Sequence, residues 1–237
     1  YYRPELLNKK LYLIEINQKN IMKNYNTKIF TLLILSLLFS SVSFSQSPNA
    51  LSFDGEDDYV NLGQAFDFNR KAAFSVEAWI KVSLDAPAGS SDGISQIVSK
   101  LDKNYVGWGM QVLPIDMSSN GELSVYFSCQ PNGFKNIIFI QSFVPVRDNQ
   151  WHHVAFTYDG SGNAKGVSLY IDGKLEKSDI REDGLVGGDI INKGEFNIGR
   201  LDGEGNPDEY MNGSIDELRI WDGVRSEKDI KANFITS

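Results

Sequence analysis

Oxygen-bearing groups near two predicted strands could bind a metal ion. Asp54 and the carbonyl of Gly55 follow the first apolar segment, and Asp216 lies in the last alternating segment. Asp216 shares the parity of Leu218 and Ile220, which places it on the inward face, where a carboxylate needs a cation or hydrogen-bond donors. Calcium prefers carboxylate and carbonyl oxygens. The pattern therefore predicts a calcium ion shared by Asp54 and Asp216, or else a carboxylate held by backbone N–H groups.

Known catalytic arrangements are not visible in the sequence. His152 and His153 are neighbours on a predicted strand, so they point to opposite faces and cannot hold one ion. A structural role is favoured, with His153 on the face opposite Phe156. Asp216 and Glu217 also point apart, unlike the close carboxylate pair of a retaining glycosidase. Because His-Glu-x-x-His, Gly-x-Ser-x-Gly and phosphate-loop motifs are absent too, a non-catalytic protein is favoured over an enzyme.

The elements that must position these groups are short strands joined by tight turns. Asp-Gly and Asn-Gly dipeptides recur, and the segments between them alternate apolar and polar residues. This predicts an all-β fold, a two-sheet antiparallel jelly-roll sandwich, with Trp151–Tyr158 and Val167–Ile171 as adjacent hairpin strands. Ser226 and Asp229 have the spacing of a capping box, which predicts a short C-terminal helix over residues 227–234.

The N-terminal part of the chain is predicted to lie outside this domain. Residues 22–45 carry a basic, an apolar and then a small-residue segment, the pattern typical of a secretory signal peptide that is cleaved before Gln46. A membrane anchor that stays attached is the alternative. Residues 1–21 lack an initiating methionine and are interpreted as a non-native extension from upstream of the true start. The resulting prediction is one secreted or cell-surface jelly-roll domain over residues 46–237.

Composition narrows the classes of partner. Hydrophobic residues form 41% of the chain and aromatic residues 12%, which is enough for a folded core. The net charge of −8 disfavours binding to nucleic acid and to anionic membranes, and membrane insertion of the mature chain is not expected. The single cysteine, Cys129, excludes an internal disulfide and a multi-cysteine zinc site. An exported chain without disulfides favours a bacterial source.

Three segments occur together in an order that indicates a family. They are residues 50–60, residues 151–160 with 167–173, and residues 213–221. Together they resemble the laminin G-like, concanavalin A-like lectin and glucanase jelly rolls, specifically the bacterial branch related to pentraxins. The resemblance implies two antiparallel sheets with adjacent first and last strands, and sugar or protein binding. Glucanases of this fold show Glu-x-Asp-x-x-Glu on one strand, and that pattern is absent here.

Resemblance to the pentraxin loops implies a second calcium site. Asp102 and Asn104 follow one predicted strand, and Asp202 follows another. Carboxylate and amide oxygens from two such loops are suitable calcium ligands. A solvated acidic loop is the alternative interpretation of the same residues.

Aromatic residues near the same loops are candidates for contact with a sugar. Sugar sites combine aromatic faces with a few polar groups that orient hydroxyls. Tyr105, Trp108 and Tyr210, with Asn104 as a polar partner, are the predicted ligand-binding residues. Packing in the core is the alternative, since large aromatic side chains also dominate protein interiors. Three further aromatic residues lie on the parity opposite the apparent core: Trp79, Tyr126 and Tyr170.

The sequence as a whole predicts a secreted, non-catalytic carbohydrate-binding module that depends on calcium and forms part of a larger extracellular protein. Its partner would be a glycan or a cell-surface polysaccharide. Two alternatives stay open. One is a cell-surface adhesion or structural domain that contacts extracellular protein, and the other is a divergent glycoside hydrolase.

Overall fold

The computed structural model describes residues 49–129, 136–201 and 209–236, which form two antiparallel sheets around one core. The predicted extension and signal peptide lie outside these residues, and so does Asp202. The strands are β1 (Leu51–Asp54), β2 (Val60–Asn61), β3 (Phe74–Val82), β4 (Ser95–Leu101), β5 (Gly107–Val112), β6 (Glu122–Ser128), β7 (Ile137–Pro145), β8 (Trp151–Tyr158), β9 (Val167–Ile171), β10 (Lys174–Glu176), β11 (Ser178–Asp183), β12 (Phe196–Ile198), β13 (Arg200–Leu201), β14 (Glu209–Tyr210) and β15 (Asn212–Asp222).

Strand order confirms the predicted sandwich. The six-stranded sheet has the order β1-β15-β3-β8-β9-β10, and the seven-stranded sheet has the order β11-β7-β6-β5-β4-β12-β2. β13 and β14 form a separate two-stranded hairpin. The first strand, β1, pairs antiparallel with the last, β15, so the two ends of the fold meet in one sheet.

The predicted hairpin of β8 and β9 is also confirmed, with Tyr158 opposite Val167. Its connection begins with Asp159, whose carboxylate accepts the N–H of Ser161 at 2.8 Å. Gly160 follows at a φ of 79°, and a β-carbon there would overlap the backbone of Lys71. Only glycine therefore satisfies both the left-handed backbone and the close approach.

Trp108 lies at the centre of the core, between the two sheets. Its side chain is fully buried, and its ring lies 4.9 Å from that of Phe74, 5.8 Å from Phe196 and 6.1 Å from Phe156 between centroids. Alternation along β5 turns this tryptophan inward. The expectation that Trp108 contacts a ligand was therefore wrong, and packing, the alternative interpretation, is correct.

A C-terminal helix, α1 (Glu227–Thr236), covers the outer face of the six-stranded sheet. Ser226 caps it, since its hydroxyl accepts the N–H of Asp229 at 3.2 Å and contacts the Asp229 carboxylate at 2.7 Å. Phe234 stacks on Trp79 with 5.5 Å between centroids, and Ile230 packs against Tyr170. The helix therefore covers Trp79 and Tyr170. Across residues 49–129, 136–201 and 209–236, no helix is long and apolar enough to cross a membrane.

His153 is buried beneath this helix, on the face of the sheet opposite the core, as predicted. Its Nε2 lies 3.5 Å from the buried carboxylate of Glu77. The other oxygen of that carboxylate accepts the N–H groups of Trp221 at 3.0 Å and Asn233 at 2.5 Å. Burial raises the pKa of Glu77, but the contacts with His153, Trp221 and Asn233 outweigh it and hold the pKa below its usual value.

The imidazole of His152 lies between two carboxylates. Its Nδ1 is 3.0 Å from Asp172 and its Nε2 is 3.2 Å from Asp148. The hydrogen bond to Asp172 raises the pKa of His152 above its ordinary value. The two imidazoles therefore contact different carboxylates and do not form one site, as the strand parity predicted.

Candidate functional site

The outer face of the seven-stranded sheet carries a row of polar side chains. Gln96 of β4 lies opposite Gln111 of β5, Gln111 lies opposite Ser124 of β6, and Ser124 lies opposite Gln141 of β7. We call these four residues the polar row. Because strands are about 4.8 Å apart, the row extends over about 14 Å. Apolar neighbours on the same strands face the core instead: Met110, Val125 and Ile140.

Two oxygens of the polar row lack a hydrogen-bond partner in the described part of the chain. The Gln96 amide donates to the carbonyls of Val98 at 2.6 Å and Met110 at 3.1 Å, but its Oε1 has no donor. The Ser124 hydroxyl is also unpartnered, and both side chains are fully buried. Buried polar atoms are normally paired, so these oxygens indicate water or a ligand at this face.

Tyr126 lies beside the polar row, and the position of its side chain depends on a glycine. A β-carbon at Gly109, its cross-strand neighbour, would overlap the Tyr126 hydroxyl. With glycine there, the phenol lies over β5 and accepts a hydrogen bond from the Gln96 amide at 3.3 Å. Burial is the main reason that the pKa of Tyr126 lies well above its ordinary value, so the phenol stays protonated at neutral pH.

An aromatic pair continues this face. Tyr126 and Phe139 are cross-strand neighbours on β6 and β7, and both side chains are partly exposed. At the next strand, Arg181 donates to the Gln141 amide oxygen at 3.3 Å and forms an ion pair with Asp179 at 2.9 Å. The face thus combines aromatic rings with amide and hydroxyl groups, the composition of a sugar-binding surface.

The hairpin of β13 and β14 borders the other end of the row, where it contacts β4. The Ser99 hydroxyl donates to the carbonyl of Arg200 at 2.8 Å and ties the hairpin to the sheet. Burial raises the pKa of Glu209 on β14 to about 7, and the negative charge of Asp92 adds to the shift. Glu209 is also close enough to raise the pKa of Tyr126. A carboxyl group therefore lies at the edge of the polar row.

Arg147 fixes the loop between β3 and β4, which carries Asp92. Its guanidinium donates to the carbonyls of Ser83, Asp85 and Gly93 in that loop at 3.0–3.4 Å, and to Leu113 at 3.1 Å. The side chain is only 3% exposed, and burial lowers its pKa to about 10. A cation buried among carbonyl groups holds the loops at this end of the sandwich in place.

The predicted loop residues form the turn of the β4–β5 hairpin. The Asp102 carboxylate accepts the N–H groups of Asn104 at 2.9 Å and Val106 at 3.0 Å, and Tyr105 has a φ of 61°. Asp102 therefore shapes the turn in the structure. Its predicted partner in a calcium site, Asp202, lies outside the described residues.

Tyr210 has a different environment from these turn residues. It lies opposite Arg200 in the β13–β14 hairpin, and the guanidinium lies 5.8 Å from its ring centroid. The side chain is buried, with 9% exposed. A ligand would therefore meet little of this ring surface.

The structure does not bring Asp54 and Asp216 together. In the pairing of β1 with β15, Asp54 lies opposite Asn212. Four residues of extended strand, about 13 Å, separate that position from Asp216. The predicted calcium ion shared by these two carboxylates is therefore wrong.

The predicted inward orientation of Asp216 is wrong as well. Ile215 faces the core, and a bulge between Asp216 and Arg219, with Glu217 at a φ of 49°, reverses the alternation beyond it. Asp216 lies opposite Trp79, on the outer face of the sheet. Its carboxylate accepts the N–H of Glu217 at 2.8 Å, which agrees with the alternative of backbone hydrogen bonding.

Asp54 instead belongs to an exposed carboxylate cluster with Asp57 and Asp58. One oxygen from each carboxylate lies within 4.8 Å of the others. Gly55 has a φ of 81° in this turn, and the Asp54 carboxylate accepts the N–H of Glu56 at 2.8 Å. Three carboxylates in one turn are a donor set that suits calcium.

Comparisons with known proteins agree with the fold. A family model, described as the concanavalin A-like lectin/glucanases superfamily, matches residues 54–231. The rat (Rattus norvegicus) protein "Sushi, von Willebrand factor type A, EGF and pentraxin domain-containing protein 1" is 41% identical over 92 residues. Those residues are 37% of this chain and 2% of the rat protein, so the chain spans a very small part of that relative.

Two solved structures are similar over most of the chain. The heptameric SAP-like pentraxin of Limulus polyphemus has a TM-score of 0.53 and 18% identity, covering 76% of this chain and 78% of that one. Domain 4 of AbnA, an extracellular arabinanase of Geobacillus stearothermophilus in complex with arabinotriose, has a TM-score of 0.50 and 20% identity, covering 77% and 75%. At these identities the likeness concerns the fold alone.

Proposed function

The chain belongs to the concanavalin A-like lectin/glucanases superfamily, and on that premise we propose that it is a non-catalytic carbohydrate-binding module. The glycan lies against the outer face of the seven-stranded sheet, over the polar row and the aromatic pair of Tyr126 and Phe139. The module is exported and acts as one domain of a larger extracellular protein. The signal-peptide pattern of residues 22–45 supports export.

The observation that carries this proposal is the pair of unpartnered oxygens beside partly exposed rings. Gln96 Oε1 and Ser124 Oγ need donors, and the hydroxyls of a sugar, or waters that they hold, supply them. The rings of Tyr126 and Phe139 offer apolar faces for the C–H side of a sugar. The arabinotriose complex of AbnA domain 4 supports the proposal, because that domain of similar fold holds a neutral oligosaccharide.

Phe139→Ala tests the site directly. We expect glycan affinity to fall about tenfold, since an aromatic contact of this kind contributes about 1.5 kcal/mol. Binding would be measured by calorimetry with the glycan that the unmutated protein retains most strongly on an array. The matched control is Leu175→Ala, an exposed apolar residue on the edge strand β10 of the other sheet.

Unchanged affinity in Phe139→Ala, or equal losses in both variants, would count against this site. An array that retains no glycan, together with binding to extracellular protein, would favour the adhesion domain instead. Release of reducing sugar from a polysaccharide would show that the module is an enzyme.

Calcium binding is part of the same proposal, at the cluster of Asp54, Asp57 and Asp58. An ion that binds only the folded state at a hundredfold its Kd stabilises that state by about 2.7 kcal/mol. Calcium should therefore raise the melting temperature of the unmutated protein, and Asp58→Asn should remove the increase. Asp216→Asn is the control that keeps it, because that carboxylate lies elsewhere. A melting temperature that is indifferent to both calcium and chelator would contradict this part.

A further inference from the structure

Two carboxyl groups lie beside the β4 end of the polar row. Glu209 lies on β14, and Asp92 lies in the loop that Arg147 fixes. Burial and the charge of Asp92 both act on the Glu209 carboxyl, and among the described residues no cation offsets them. An anion that enters from this side therefore meets negative charge in a partly desolvated place.

The opposite border carries charges of both signs, and Lys177 lies there with its Nζ 5.5 Å from the ring centroid of Phe143. There, Asp179 lies opposite Gln141 and Glu182 lies opposite Phe139. The guanidinium of Arg181 is already paired with Asp179, at 2.9 Å. The border at Glu209 and Asp92 is therefore the acidic one, while the middle of the face is made of amides, a hydroxyl and aromatic rings.

We propose that this acidic border restricts the site to uncharged glycans, and that Glu209 is the specificity-determining residue that rejects glycans bearing carboxylate or sulfate groups. The inference rests on the proposed function and adds the class of ligand to it. Amide and hydroxyl groups satisfy the hydroxyls of a neutral sugar, whereas a like charge near a partly buried carboxylate is repelled strongly.

The rejection should depend on pH. The pKa of Glu209 is about 7, so its carboxyl is mostly neutral at pH 6 and mostly ionised at pH 8. Among the described residues, the titratable groups that interact with it are Asp92 from the β3–β4 loop and Tyr126 from β6, and Tyr126 stays neutral over this range because its pKa is raised. Leu201, its partner on β13, is apolar. Glu209 thus changes charge between pH 6 and 8.

Matched pairs of glycans test this inference. The probes are amylose with C6-carboxylated amylose, and dextran with dextran sulfate, at low ionic strength and at pH 6 and pH 8. For the unmutated protein we expect the neutral-to-anionic affinity ratio to exceed one and to rise about three- to tenfold between the two pH values. Glu209→Gln should remove the rise. Glu176→Gln, on β10 of the other sheet, is the matched control and should keep it.

A second variant tests the assignment independently. Burial is the main cause of the raised pKa of Glu209, and Asp92→Asn removes the charge that adds to it, so the rise in the ratio should move to lower pH. A ratio at or below one, or a rise that persists in Glu209→Gln, would overturn the inference while leaving glycan binding intact. If the unmutated protein bound none of the four polymers and no glycan on the array, the proposed function would be contradicted instead, and the inference would fall with it.

Discussion

Replacing Arg147 with methionine is expected to destabilise the domain by about 3–5 kcal/mol. The guanidinium makes six hydrogen bonds, five to backbone carbonyls and one to the hydroxyl of Ser95, while it is almost fully buried. Methionine fills a similar volume but leaves these acceptors without donors. The loss stays below the sum of the single bonds, because removing a desolvated charge returns part of its burial cost.

Urea unfolding at neutral pH measures this effect, with the slope of the transition checked for two-state behaviour. Arg147→Lys is the informative control, since it keeps the charge but cannot reach acceptors in several directions from one planar group. It should restore only part of the lost stability. A destabilisation by methionine of less than about 1 kcal/mol would show that Arg147 does not hold these loops together.

The second large effect is expected for Trp108→Ala, which should cost about 3–5 kcal/mol. The indole is fully buried and contacts aromatic residues from both sheets, so its removal leaves a large cavity between them. Thermal and urea unfolding are the measurements. Leu175→Ala, at an exposed position on the edge strand β10, is the control, and its stability should change little. If Trp108→Ala kept its stability and lost only glycan binding, Trp108 would be a ligand contact after all.

Local patterns were sufficient to predict most of the architecture. Alternation and the Asp159-Gly160 turn predicted the β8–β9 hairpin, since both depend on residues that are close in sequence. The same is true of the Ser226 cap of α1, which extends two residues beyond the predicted segment. Parity also placed Trp79 and Tyr170 away from the core, although it could not show that a helix covers them.

Errors arose where register or packing depends on distant residues. The bulge at Asp216 and Glu217 reverses strand parity. The alternation of Leu218 and Ile220 in the sequence does not indicate that a bulge precedes them. The β1–β15 register then separates Asp54 from Asp216. Trp108 was proposed as a ligand contact because of a nearby loop, but its alternation with Met110 and Val112 was a visible signal for the core.

The polar row was missed because its members come from four different strands. Each of Gln96, Gln111, Ser124 and Gln141 is an ordinary polar residue in its own segment, and only the order β7-β6-β5-β4 brings them into one row. Gly109 was the one local signal, since a glycine inside a strand often marks the close approach of another group. No sequence pattern near either residue indicates that Glu209 and Asp92 interact in the fold.

The most direct test of glycan binding at this face is amide-shift mapping by NMR during titration with the neutral glycan that the module retains on an array. The largest shifts are expected on β5, β6 and β7, around Gln111, Tyr126 and Gln141, because these residues line the proposed site. The amides of α1 and of the six-stranded sheet beneath it should change little. Shifts centred on α1, or on the Asp54 turn without change on the seven-stranded sheet, would contradict the account.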